Sequence, residues 1–366
     1  MSPATTNHIW RRGSVAALDA AFRVATFAAA AVPLVVILSY AGLHGWLGRD
    51  FTREYLPAAH AVFHLQSPFQ AKAAPPFTYP YPPLTAFLTV PFLLMPSAAG
   101  GVLAALLCLA LVPLTLWVLG VRDWQCYAVS LLWLPVIVNV QAANATMLLL
   151  FGTALLWRLR GHPLAAGLVA GTMIAIKPFY WPMLLFFAFG NRRRAAGIGV
   201  SAAVALIIAP WSALGFAGLR FYPHLLAAMN RDEGPHSSTI AAAVKPLVGW
   251  PTAQAVGLAV GLGVLAWALR TSDDRRRFII TIAATLALTP VAGPGYFVLL
   301  LVVASLTSAQ LGAVWMLPAG FFAVGIWAAG AVEAAFGVML AIASFAIALR
   351  TRVAATSEVR SAPVFS

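Results

Sequence analysis

Acidic side chains are what this chain has least of: ten aspartates and glutamates in 366 residues, against 23 lysines and arginines. Charge of either sign is scarce, at 9% of residues, where soluble domains carry about a quarter. With 61% hydrophobic residues and a mean hydropathy of +0.88, that deficit excludes a soluble globule. Cysteine is nearly absent. Cys108 and Cys126 fall in or beside apolar segments, which argues against a structural disulfide and against a thiol nucleophile. No glycine-rich loop runs into a Lys-Ser or Lys-Thr pair, so no nucleotide-phosphate cradle is expected. There is no internal repeat and no appended soluble domain. His60 and His64 have the spacing of a metal pair but no third ligand nearby, so no metal and no cofactor is expected.

What is present is apolar sequence in long runs. Residues 24–45 are long enough to span a hydrocarbon core, and unbroken runs of this kind exclude a transmembrane barrel. The net charge of +13 does not indicate nucleic acid, because the cations sit in short clusters between apolar runs: Arg11-Arg12, Arg192-Arg193-Arg194, Arg275-Arg276-Arg277, then Arg350 and Arg352. That is the positive-inside pattern, which holds such loops on the cytoplasmic side. The first span, residues 24–47, is too long for a signal-peptide core and is expected to be retained.

The charge pattern sets the topology. A cytoplasmic N-terminus delivers residues 48–83 to the opposite, extracytoplasmic side as a broken interfacial helix. Phe51, Tyr55, Val62, Phe63 and Leu65 would face lipid there, with Arg53, His60 and His64 toward water and Pro57 at the break. This loop closes on Phe77-Thr78-Tyr79-Pro80-Tyr81-Pro82-Pro83, suited to a membrane interface. Clusters at 192–194 and 270–277 put a second polar loop, 217–250, on the same side. Between them, residues 84–157 cross either four times with 163–189 crossing once, or three times with 163–189 forming two short helices. Arg158 and Arg160 favour the second count and bring Lys177 near the outer face. The expectation is an all-α polytopic helical membrane protein: one domain over residues 1–352, about 10–12 transmembrane helices, and a disordered cytoplasmic tail at 353–366.

Few residues can carry chemistry in such a chain. Asp19, Asp273, Asp274 and Glu358 lie among cytoplasmic arginines, Asp123 and Glu333 at helix turns, and Asp232 and Glu233 in the second loop. Asp50 and Glu54, four apart, share one face of any helix that forms. Asp50 is then either an exposed partner of Arg49 or Arg53, worth less than about 1 kcal/mol, or a general base at the membrane surface. Lys177-Pro178 interrupts an apolar run; its ammonium either snorkels to the interface or clamps an anion such as phosphate. Asn139, Gln141 and Asn144 either satisfy backbone and glue helices or bind sugar hydroxyls. His236 and Lys245 sit in or after a polar loop.

Taken in order, Asp50-Phe51, Tyr55 with Ala58-Ala59, Ser67-Pro68-Phe69, Tyr79-Pro80-Tyr81-Pro82-Pro83-Leu84, Asn139-Val140-Gln141 through Asn144, Ala175-Ile176-Lys177-Pro178, and Thr289-Pro290 leading to Tyr296-Phe297 resemble the polyprenyl-phosphate-hexose-dependent glycosyltransferases of family 87. The resemblance covers roughly residues 24–301. It implies a GT-C-like fold and transfer of a sugar, commonly mannose, from a polyprenyl-phosphate carrier to a lipid or glycan acceptor. The reaction would lie on the extracytoplasmic face of a bacterial-style inner membrane. It implies Asp50 as base. The residues expected to bind substrate are Glu54, Tyr55, Tyr79, Tyr81, Asn139, Gln141, Asn144, Lys177, Arg220, His236, Lys245 and Tyr296, with the cations Lys177, Lys245 and Arg220 serving the phosphate. The chain departs from the pattern near its end. Many members carry Ser-Pro-x-Ser-Trp-x-His where this one reads Thr289-Pro290-Val291-Ala292-Gly293-Pro294-Gly295, so glycine stands at the histidine position. Two other readings remain open at this point: a transporter or lipid flippase without covalent chemistry, and a catalytically diverged family member. Transporters favour paired repeats with broken helices, and this chain has one Lys-Pro break without a matching half.

Overall fold

The computed structural model describes residues 3–69, 79–324 and 330–351. The expected tail at 353–366 and the Phe77-Thr78 part of the aromatic segment lie outside them. Regular structure among the described residues is entirely helical. Helix α1 (Pro3–Leu43) is followed by a π turn over Phe51–Tyr55 and by α2 (Leu56–Phe63). Then come α3 (Pro83–Thr89), α4 (Ser97–Val118), α5 (Trp124–Leu131), α6 (Leu134–Ala142), α7 (Thr146–Arg158), α8 (Pro163–Ile176), α9 (Pro182–Phe189) and α10 (Arg193–Ala213). The chain continues through α11 (Tyr222–Asp232), α12 (Ile240–Val248), α13 (Trp250–Arg270), α14 (Asp274–Ala287), α15 (Leu300–Thr307), α16 (Ala313–Met316) and α17 (Ala331–Arg350).

Among the described residues five helices are long and apolar enough to cross a membrane: Arg23–Leu43 within α1, and α4, α10, α13 and α17. Only 17% to 39% of each apolar window is buried inside the protein. Val35, Val36, Leu106, Leu107, Val204, Ile208, Leu258, Leu262, Met339 and Ile342 stand exposed. So much outward apolar surface needs lipid around it. The α5–α6 pair, bent by 63°, passes the same test when taken together, as a broken span or a re-entrant loop. Pro135 causes the bend: it has no N–H for the α5 ladder, and its ring would meet the carbonyl four residues earlier. Pro178 ends α8 in the same way, so residues 163–189 form two short helices, α8 and α9, with Lys177 at the break in an extended conformation (φ −139°). Six shorter apolar helices of 10–17 residues complete the bundle, and the expected ten to twelve spans counted these among them.

The bundle has two chemically distinct ends. Arginines gather at one. Arg192 pairs with Asp274, Arg277 lies 3.6 Å from the same carboxylate, and the Arg275 guanidinium donates to the carbonyls of Leu306 (2.6 Å) and Ala348 (3.3 Å). Arg23 at the near end of the first span sits 5.9 Å over Trp124. At the other end the two polar loops meet. Phe69 stacks on Trp211 with ring centroids 5.1 Å apart, and the Tyr222 hydroxyl donates to the Pro80 carbonyl at 2.9 Å. The first loop differs from the expectation in one respect. Phe51, Tyr55 and Val62 are buried in protein instead of facing lipid, with Phe51 against Phe92 at 4.8 Å, while Phe63 and Leu65 are exposed. Phe51–Tyr55 form a π turn that presents both of these rings to the protein interior before α2 begins.

The turn leaving α1 depends on one residue. Gly48 has φ +68°, and its N–H donates to the Gln141 carbonyl at 2.6 Å. A Cβ there would lie 2.7 Å from the Gly101 Cα of α4. Both the left-handed backbone and the backbone-to-backbone approach demand glycine. Gly48→Ala is expected to lower stability by about 2 kcal/mol or more. Gly42→Ala, which meets nothing within 4 Å, should leave it unchanged or slightly raised. Thermal unfolding of the two variants in detergent checks this, and equal melting temperatures would refute it.

Candidate active site

Asp50 enters the site directly from this turn. Gly48 anchors the chain to α6, and Thr52 donates its N–H (2.8 Å) and hydroxyl (3.0 Å) back to the Gly48 carbonyl. The carboxylate is therefore carried on a backbone tied at both sides. One oxygen, Oδ2, accepts from Asn144 Nδ2 at 2.8 Å; the other, Oδ1, lies 4.0 Å from Arg49 Nε. Burial pushes the Asp50 carboxyl above its ordinary value, and the Asn144 hydrogen bond and the charges of Arg49 and Lys177 oppose that push. Glu54 is driven well above the usual carboxylate range, first by burial and then by the nearby charges of Asp50 and Glu233.

Asn144 is the hub. It follows Ala143, whose left-handed φ of 53° ends α6, and it opens α7 through an Asx turn in which Oδ1 accepts the Thr146 N–H at 2.9 Å. The Thr146 hydroxyl donates to the same Oδ1 at 2.7 Å. Lys177, 1% exposed, reaches this point from the end of α8. Its Nζ donates to Thr146 Oγ1 (2.7 Å), Tyr296 OH (3.2 Å) and Asn144 Oδ1 (3.3 Å). The ammonium also lies 4.5 Å over the Tyr296 ring and 5.0 Å over the Tyr81 ring, favourable positions for a cation.

These groups face a cavity of about 640 Å³. Four of the chain's ten acids line it, Asp50, Glu54, Asp232 and Glu233, with Arg49 and Lys177 as the cations in its wall. Apolar surface comes from Phe179, Tyr222, Leu226 and Met229. A cavity of this size falls in the range of small-molecule sites. Among the described residues no group of three or more His, Cys, Asp or Glu side chains is arranged to hold a metal. The His60 and His64 rings lie 4.9 Å apart, tilted by 45°.

Of the residues singled out in the sequence, Asp50, Glu54, Tyr81, Asn139, Asn144, Lys177, His236 and Tyr296 line this cavity. Asn139 is committed to backbone: its amide nitrogen donates to Pro135 and Gly295 carbonyls, both at 2.7 Å. The others sit elsewhere. Tyr55 stands behind the wall, its hydroxyl accepting from Ala145 N at 3.2 Å. Tyr79 pins the loop corner, donating to Pro82 O and accepting from Ala86 N. Gln141 contributes its carbonyl to Gly48, Arg220 is exposed, and Lys245 lies on α12 away from the lining. Sequence reasoning missed Thr146, Arg49 and Tyr222 and placed Glu233 only in a loop. The Asn-x-Thr pattern just before an apolar run, a helix-start signal, pointed to Thr146. At Gly295, the expected histidine position, a Cβ would lie 2.9 Å from Asn139 Nδ2, so Asn139 occupies the space a side chain there would need.

A family model described as Glycosyltransferase family 87 matches residues 77–292, more than half of the chain. The match takes in Asn144, Thr146, Lys177 and Glu233; Asp50 and Tyr296 fall outside it. No curated protein and no solved structure matches.

Because the folded chain protonates Glu54 at a higher pH than the unfolded chain, ionisation beyond the unfolded value of about 4.3 favours unfolding. Glutamine removes that penalty. Glu54→Gln should therefore melt at a higher temperature than the parent protein at pH 8 and at the same temperature near pH 4. A difference that does not grow with pH would contradict the buried, unpaired state of this carboxyl.

Proposed function

The chain belongs to glycosyltransferase family 87, and we propose that it moves a hexose, mannose by resemblance, from a polyprenyl-phosphate carrier to a hydroxyl of a lipid or glycan acceptor. The reading rests above all on Asp50. It is a carboxylate of a cavity-lining residue, held through Oδ2 by Asn144, with Oδ1 4.0 Å from Arg49 Nε. Asp50 takes the proton of the acceptor hydroxyl as that oxygen attacks the anomeric carbon. The bond from that carbon to the phosphate oxygen breaks, and its electron pair leaves with the polyprenyl phosphate. A single displacement inverts the anomeric centre. The leaving phosphate gains negative charge, which Arg49 in the cavity wall and the buried charge of Lys177 stabilise. Glu54, Glu233 and His236 offer partners for sugar and acceptor hydroxyls.

The two ends of the bundle support the orientation. Arginine-rich ends stay in the cytoplasm by the positive-inside rule, so the cavity opens on the extracytoplasmic side of the inner membrane. The apolar lining from α11 and Phe179 suits a carrier that arrives from the bilayer.

Asp50→Asn tests the assignment. Turnover of polyprenyl-phosphate mannose should fall by about 10²–10⁴-fold, with donor binding retained. In the parent enzyme the acid limb of kcat/KM should lie above an ordinary aspartate value of about 3.9, because burial disfavours the ionised base. Full activity in the asparagine variant would remove Asp50 from the reaction.

A further inference from the structure

Lys177 is spent within the protein. An ammonium has three donors, and here they meet Thr146 Oγ1, Asn144 Oδ1 and Tyr296 OH, with 1% of the residue exposed. A donor phosphate reaches Nζ only by displacing one of these. The direction of the hydrogen bonds is forced. Lysine only donates, so Thr146 Oγ1 accepts from it and must pass its own proton on, to Asn144 Oδ1. That amide oxygen is fixed as oxygen by the Thr146 N–H and the ammonium, which leaves Nδ2 for Asp50, a group that only accepts. Ammonium, hydroxyl, amide and carboxylate thus form a one-way chain in which each bond polarises the next.

We infer that Lys177 is a positioning residue for Asp50, acting through Thr146 and Asn144 to fix Oδ2 as the bound oxygen and leave Oδ1 to take the acceptor proton, instead of contacting the donor phosphate. The inference rests on Asp50 being the base. It assigns to Thr146 a role in the reaction with no substrate contact. The charged groups around Asp50 are Arg49, Glu54, Glu233 and Lys177; Arg49 faces Oδ1 directly, and Lys177 reaches Oδ2 through a hydrogen-bond chain.

The test needs no acceptor. Infrared pH titration of the full-length protein follows the carboxyl band that Asp50→Asn removes, and polyprenyl-phosphate mannose binding is measured alongside. Lys177→Met and Asn144→Ala should each raise the pH at which Asp50 ionises by about one unit or more. The double variant should do no more than the stronger single one, and donor affinity should stay within about threefold. Thr146→Val, which keeps the lysine charge and the direct 3.3 Å Nζ–Asn144 Oδ1 contact but removes the shorter hydroxyl link, should shift the band in the same direction and by less; Thr146→Ser should restore it. These two variants keep the test open if Lys177→Met does not fold. The inference is overturned if Thr146→Val leaves the titration unchanged, or if Lys177→Met weakens donor binding tenfold without moving it. Full activity of Asp50→Asn is a separate outcome, and it removes the base assignment itself.

Discussion

One buried ammonium organises this protein. Moving a charged group out of water is costly unless every donor finds a partner, and Lys177 lies where the described structure encloses it almost completely. Two tyrosine rings, one phenol, one hydroxyl and one amide oxygen supply that environment, drawn from the first polar loop, the start of α7 and the turn before α15. Elements far apart in sequence meet at this point, and the amide so oriented donates an N–H hydrogen bond to Asp50.

The helices are built to leave room for that cluster. Proline ends α8 and starts α6, so both stop short of a full crossing and expose their ends to a shared interior. A glycine at 48 lets the chain leave α1 in contact with α4 and α6, which turns the following carboxylate inward. At the opposite end, arginines saturate carbonyls and the Asp274 carboxylate, holding α9, α10, α14, α15 and α17 in register. The acid-poor composition acquires its meaning from this arrangement. Four of the ten carboxylates line the cavity, and burial there raises the proton affinity of Asp50, Glu54 and Glu233.

Gly295 shows how a departure from a family pattern is absorbed. Its carbonyl accepts from Asn139, and the amide fills the volume that a side chain at 295 would occupy. A side chain at 295 would require Asn139 to move, so glycine at this position goes with the packing of Asn139 against this wall of the cavity.

Composition and charge spacing determined the class by themselves: apolar runs of membrane length can be stable only in lipid, and arginines between them choose a side. A carboxylate beside the first span and a lysine inside an apolar run were legible because each is costly in such a chain. Which oxygens and nitrogens meet was decided only in three dimensions. Thr146 carries no charge and breaks no pattern strongly, Asn139 and Asn144 look alike in sequence, and Tyr55 and Phe51 face inward from a π turn that periodicity does not announce. Local sequence encodes the energetic anomalies; the partners that resolve them lie 31 to 119 residues away and are selected by packing.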